Sequence, residues 1–111
     1  MKLFIELCNA KQSWLKLDEE KRKKFLAPVT NVMENLEASG AKIVAWGFNE
    51  VSTPQRAEYD FFAAIIFPDE PSALTYEQLF RKAGWYNYFE QVNVIGEMES
   101  YNLVLDRLCN L

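Results

Sequence analysis

Three short segments of this chain carry apolar side chains on both sides of an extended backbone: KLFIELC at 2–8, KIVAWGF at 42–48 and YDFFAAIIF at 59–67. Side chains along a strand alternate between faces, so each segment splits into two sets. Leu3, Ile5 and Leu7 oppose Phe4 and Cys8. Ile43 and Ala45 oppose Val44, Trp46 and Phe48, while Phe61, Ala63 and Ile65 oppose Phe62, Ala64 and Ile66. A sheet covered on one side only should read apolar inward and polar outward, and this one does not. Both of its faces need cover.

The remaining segments supply cover for one face. Asp18 followed by Glu19 and Glu20 reads as a capped helix start with acids where the dipole favours them, and Phe25, Val29, Val32 and Leu36 form one helical stripe. Gly40 closes that helix, and Pro28 inside it removes a backbone hydrogen bond, so a kink is expected. After Pro68-Asp69-Glu70-Pro71 a second stripe of Ala73, Tyr76, Phe80 and Ala83 runs to Gly84. QVNVIGEME at 91–99 is a fourth strand with Gly96 as a candidate bulge, and Ser100 caps a short terminal helix that turns Val104 and Leu108 inward. Asn9 to Ser13 reads as a polar turn, and Asn49 to Glu58 as a long polar loop of the kind that often carries function.

The order is βαββαβ plus a terminal helix, in one domain over residues 1–111. Right-handed crossovers make this an α+β, ferredoxin-like fold: a four-stranded antiparallel sheet with both main helices on one face. Too little chain is left for the other face. An apolar patch of that size exceeds what soluble monomers carry, so a homodimer packed sheet to sheet is expected, and the alternative is a terminal helix folded beneath the sheet.

Composition narrows the function. The net charge of −4 argues against a nucleic-acid or anionic-membrane partner, since both need a basic footprint. No window reaches the roughly 18 uninterrupted apolar residues of a membrane span, and MKLFIELC is too short and too interrupted by Glu6 for a signal peptide. A cytoplasmic protein is expected, with Cys8 and Cys109 as two buried thiols. The 111 residues include no histidine. That removes Ser-His-Asp and Cys-His nucleophiles, His-ligated haem and the ordinary catalytic zinc sites, so neither metal nor cofactor is expected. The run Lys21 to Lys24 follows three acids and spans a helical turn, which reads as a solvated face.

In this topology one edge of the sheet collects Asn9 and Trp14, then Asn49 and the loop with Thr53 and Arg56, then Tyr59 and Asp60, and last Trp85, Tyr86, Tyr88, Glu90, Gln91 and Asn93. Two readings of this edge stand. Rings that each bury roughly 150–250 Å² are common core material. Rings accompanied by converging amides and charges are the usual lining of a small-ligand site. Asp60 shares a strand face with Phe62 and Ala64, so partial burial is expected, with Arg56 as its partner in either a structural or a substrate-orienting pair. Glu90 serves as a general acid or base only if burial raises its pKa. Glu6 and Glu97, charged positions in apolar strands, mark either the dimer surface or an internal pocket.

The segments AWGFN at 45–49, TPQRAEYDFF at 53–62 and AGWYNYFEQVN at 83–93 together resemble a family of small, functionally uncharacterised bacterial proteins, a branch of the dimeric α+β barrel superfamily. The resemblance spans nearly the whole chain. It implies a dimer and marks Trp46, Asn49, Arg56, Tyr59, Asp60, Trp85, Tyr88, Glu90, Gln91 and Asn93 as site positions. The superfamily includes cofactor-free monooxygenases of aromatic polyketides, haem-dependent chlorite and peroxide enzymes, small-metabolite isomerases and ligand sensors. Without histidine this chain lacks the haem enzymes' axial ligand. The expected function is binding of a small, partly aromatic metabolite, with a cofactor-independent oxygenase-like or isomerase-like activity. In that reading Arg56 and Asp60 orient the ligand, Asn49, Gln91 and Asn93 hydrogen-bond it, and Trp46, Trp85 and Tyr88 stack on it. A non-catalytic dimerisation module is the alternative.

Overall fold

A computed structural model describes residues 1–50 and 54–111; Thr53, expected in the functional loop, lies outside the described residues. Strand β1 (Lys2–Ala10) is followed by a one-turn helix α1 (Gln12–Leu15) and the long helix α2 (Glu19–Ala38). Then come β2 (Lys42–Phe48), β3 (Phe61–Phe67), α3 (Glu70–Lys82), a 3₁₀ turn at Trp85–Asn87, β4 (Phe89–Glu97) and α4 (Tyr101–Leu108). The strands form one antiparallel sheet in the order β2-β3-β1-β4.

Local chemistry places the helices. The Asp18 carboxylate accepts from the Lys21 N–H at 2.8 Å and starts α2, which runs 20 residues through Pro28. It closes with a hydrogen bond from the Ala41 N–H to the Leu36 carbonyl across Gly40. Asp69 caps α3 through the Ser72 N–H and hydroxyl, at 2.9 and 2.6 Å. The expected polar turn after β1 is instead α1. Its Lys11 N–H and Ser13 hydroxyl donate to the Tyr88 and Asn87 carbonyls, at 2.8 and 2.6 Å, and tie it to the turn before β4.

The expected face assignment of β2 needs a correction. Ile43 pairs with Ile65, yet Trp46 pairs with Ala63 and Phe48 with Phe61, because the register shifts between Ile43 and Ala45. Directly opposed residues share a face, so the irregularity at Val44 turns Trp46 and Phe48 to the same side as Ile43. This is the helix side, whose core holds Phe4, Cys8, Ala63, Ile65 and Phe67 from the sheet and Ala73, Tyr76 and Phe80 from α3. Helix α2 contributes only half-buried contacts, among them Phe25, Val29, Val32 and Leu36.

The other face carries Leu3, Ile5, Leu7, Phe62, Ala64 and Ile66, with Val92 and Val94 45% and 59% exposed. Nothing in the described chain covers it. No residue of α4 is buried, so Val104 and Leu108 do not turn inward as expected; Leu103, Leu105 and Tyr101 are exposed beside them. The radius of gyration is 16.0 Å, against about 13 Å for a compact domain of this size. Cys109, expected buried, is exposed at the end of α4, while Cys8 is buried; both are free thiols. No helix among the described residues is long and apolar enough to cross a membrane.

Candidate functional site

Strand ends, helices and the β2–β3 connection meet around a cleft of about 770 Å³ at the Ala10 end of β1. Strand β2 supplies Trp46, Gly47 and Phe48, α1 and α2 supply Trp14 and Leu26, and Phe61, Trp85 and Phe89 complete an apolar lining. Asn49, Tyr59 and Asp60 form its polar part. The rings brace one another. Trp85 stacks on Phe89 at 4.2 Å, Phe89 packs edge-on to Phe61 at 5.7 Å, and Trp14 lies 4.8 Å from Phe89. Arg22 holds Trp14 in place. Its guanidinium lies 5.8 Å over the indole and donates to the Trp14 and Leu15 carbonyls at 3.3 and 2.9 Å, so one residue of the basic run is structural.

Gly84, at φ 84°, makes the left-handed step that carries the chain from α3 into the Trp85 turn, a conformation open to glycine at little cost. Gly47 has a different role. A Cβ there would lie 2.7 Å from Cζ of Phe62, so the glycine lets that ring lie flat against β2 on the open face.

The polar residues at this end hold strand ends together. The Asn49 amide donates to the Ala57 and Tyr59 carbonyls at 2.7 and 3.0 Å, and its backbone N–H donates to the Asp60 carbonyl. Asp60 accepts from the Ala10 N–H at 2.9 Å, and its own N–H donates to the Asn9 side chain and to the Cys8 carbonyl. Asp60 is solvent-exposed, a correction to the partial burial expected of it, because it precedes β3 rather than lying within it. Its carboxylate therefore does not require a buried ion pair with Arg56, which is exposed and stands outside the cleft wall.

Of the other expected positions, Tyr88 is half-buried and packs edge-on to Phe25 and Trp14 at 4.7 and 5.6 Å, behind the lining. Glu90 is exposed and alternates with the buried Phe89, so it faces the open side of the sheet, away from the cleft. Gln91 and Asn93 lie beyond the ring wall. The Gln91 carbonyl accepts from Trp85 Nε1 at 2.8 Å and from the Cys8 thiol at 3.2 Å, and its amide donates to Asn93 at 2.7 Å.

Sequence reasoning missed how much lies around Glu6. It is 4% exposed on the helix side of β1, next to Cys8 and across from Ala63 and Asn93, so it does not mark the dimer surface. Burial pushes its carboxyl up to about 7, with Glu77 adding to the rise and the Tyr76 hydroxyl opposing it. The Tyr76 hydroxyl lies buried against Glu6, and burial, with the Glu6 charge and hydrogen bond behind it, pushes its own pKa up. Cys8 is pushed up to about 12 by burial and by Glu6, which makes it a poor nucleophile. The signal in the sequence was a carboxylate in phase with Phe4 and Cys8. Glu97, by contrast, is exposed and paired with the Met1 ammonium at 2.7 Å and Lys2 at 3.2 Å.

A second groove of about 390 Å³ runs between α2 and α3, lined by Val29, Val32, Leu79 and Phe80 among others, with Trp85 as the wall it shares with the cleft.

Topology and layers define an α+β protein of ferredoxin-like fold. The chain belongs, over residues 1–111, to a family of unknown function, DUF6616. No curated protein matches it. Among solved structures it is similar to a mutant chlorite dismutase from Candidatus Nitrospira defluvii, with a TM-score of 0.66 and 12% identity over 90% of this chain; it spans 41% of that one. It is also similar to the protein At3g17210 from Arabidopsis thaliana, with a TM-score of 0.59 and 14% identity over 90% of this chain and 97% of the other. A dabb family protein with a ferredoxin-like fold from Mesorhizobium loti gives a TM-score of 0.51 and 12% identity, covering 90% and 100%. At these identities the likeness is one of fold.

Proposed function

We propose that the protein binds a small, partly aromatic molecule in the cleft beside Ala10 and works as a homodimer joined through the open sheet face. The observation that carries the first part is the lining itself. Trp14, Trp46, Phe48 and Trp85 surround a volume of about 770 Å³, within the range of small-ligand sites. Trp46, 40% exposed, offers a ring face for stacking, Trp85 backs the wall from its stack on Phe89, and Asn49, Tyr59 and Asp60 offer polar contacts along one side. Arg56 and Glu90 stand outside the lining, and Tyr88, Gln91 and Asn93 support it from behind. The apolar surround suits either a cofactor-independent oxygenase or an isomerase, because both need water kept from a reactive carbanion.

Thermal-shift measurements against aromatic carboxylic acids and quinones test this reading. Wild type is expected to be stabilised by at least one of them, and Trp46→Ala to lose most of that shift. Absence of any shift with wild type counts against a metabolite site. The second reading, a non-catalytic interaction module, draws on Asn49, Asn9 and Asp60, whose polar atoms are largely spent on backbone groups.

A further inference from the structure

Resting on the reading of the cleft beside Ala10 as a ligand site, we propose that its ligand is a small aromatic amine in protonated form, an arylalkylammonium ion. Its ring lies among the lining rings, and its ammonium sits at the rim beside Asp60.

The charge of the lining favours a cation. Among the described residues that line the cleft, Asp60 carries the formal charge, and no lysine or arginine joins it. One Asp60 oxygen accepts from the Ala10 N–H at 2.9 Å, which fixes the carboxylate against β1. An ionised carboxylate accepts several hydrogen bonds, so capacity remains for an ammonium. Asn49 tilts the balance the same way. Both protons of its amide are spent on the Ala57 and Tyr59 carbonyls, and its backbone N–H on the Asp60 carbonyl. What its side chain can still offer a ligand is an oxygen, an acceptor. The Trp85 indole N–H is spent on Gln91, and the donors left on Tyr59, Trp14 and Trp46 are neutral. A carboxylate ligand would meet Asp60 with no lining cation to offset it.

The rings add attraction of the same sign. Phe48 pairs with Phe61 and their rings lie 6.3 Å apart, so Asp60, the neighbour of Phe61, stands at the Phe48 end of β2. Trp46 and Phe48 are 40% and 82% exposed there, whereas Trp14, Trp85 and Phe89 are buried. The cleft thus grades from a floor of buried rings to a rim with open ring surface and a carboxylate. Aromatic faces attract cations, tryptophan most strongly. Arg22 already makes such a contact over Trp14 and takes one face of that indole, which leaves Trp46 and Phe48 for a ligand. The rim also suits an ammonium because a charge taken wholly from water is heavily penalised. At the rim it keeps part of its hydration while the aryl group gives up its own to the floor. Aromatic acids and quinones engage the rings without the charge and are expected to bind less tightly.

The test uses the full chain with phenethylammonium, phenethyl alcohol and phenylpropanoate, which share a ring and a two-carbon chain and differ in the charge of the end group. Binding is followed by tryptophan fluorescence and titration calorimetry at neutral pH and low salt. Wild type is expected to bind the ammonium about 10-fold more tightly than the alcohol, and the carboxylate least. Asp60→Asn keeps an acceptor for the Ala10 N–H and is expected to cut that preference about fivefold. Trp46→Ala is expected to cut it about threefold. Equal affinity for ammonium and alcohol in wild type overturns the proposal while leaving an aromatic site in place, and so does a preference that Asp60→Asn leaves unchanged. Binding of none of the three overturns it too, and the aromatic acids and quinones then decide whether the cleft takes any ligand.

Discussion

At Glu6 the cost of a buried carboxyl becomes a dependence of stability on pH. The group titrates at 4.5 when exposed and at about 7 in the fold. Between those values the folded chain binds more protons than the unfolded one, so stability falls as pH rises. The contribution is whole below about 4.5, declines through the interval and is gone above about 7. The difference is about 3 kcal/mol. Urea unfolding of wild type and Glu6→Gln at several pH values measures it. The wild-type curve should drop relative to the mutant across that window and run parallel above it; parallel curves throughout would mean the carboxyl ionises freely. In the sequence the same glutamate was visible as an anomaly in an apolar strand, but not its surroundings. Tyr76 reads there as one more member of a helical stripe, and only the fold sets its hydroxyl against the carboxyl.

Secondary structure was legible to within two residues for most elements, since capping residues, stripes and glycines act over one or two turns. Asp18 and Ser100 cap the helices they were expected to cap, and Asp69, inside the expected entry at 68–71, caps α3. Helix α1 was hidden because it has a single turn and no capping side chain, and is held by contacts to residues 75 positions away. The face of Trp46 was hidden too. A strict alternation put it opposite Ile43, and the irregularity at Val44 reverses that phase, a matter of pairing with β3 rather than of β2 itself. Arg22 is the test at this scale. Replacing it with Ala removes two hydrogen bonds and a cation–ring contact that join α1 to α2. The expected cost is about 1–3 kcal/mol in chemical denaturation. The Trp14 fluorescence should also move toward that of exposed indole; an unchanged midpoint and spectrum would show the clamp to be idle.

For the whole molecule the outstanding feature is surface that one copy does not cover. Val94 tests the proposed homodimer because it is exposed in a single chain and pairs with Ile5 near the middle of the open face. In a monomer, Val94→Glu would change stability by no more than about 0.5 kcal/mol. In a sheet-to-sheet dimer it buries two unpaired carboxylates. Sedimentation at micromolar concentration should then give a dimer for wild type and a monomer for the variant, whereas a monomeric wild type removes the dimer. Helix α4 also exposes apolar residues, among them Leu105 and Leu108.

Two apolar faces on the strands, one covering pair of helices and the absence of histidine are properties of order and composition, and the sequence alone determined them. They set the fold class and removed whole families of chemistry. The cleft at Ala10, the reversal at Val44 and the meeting of Glu6 with Tyr76 and Asn93 were decided by tertiary structure. Each depends on groups far apart in the chain whose distance is fixed by strand register and helix packing, and no local pattern of residues encodes a register.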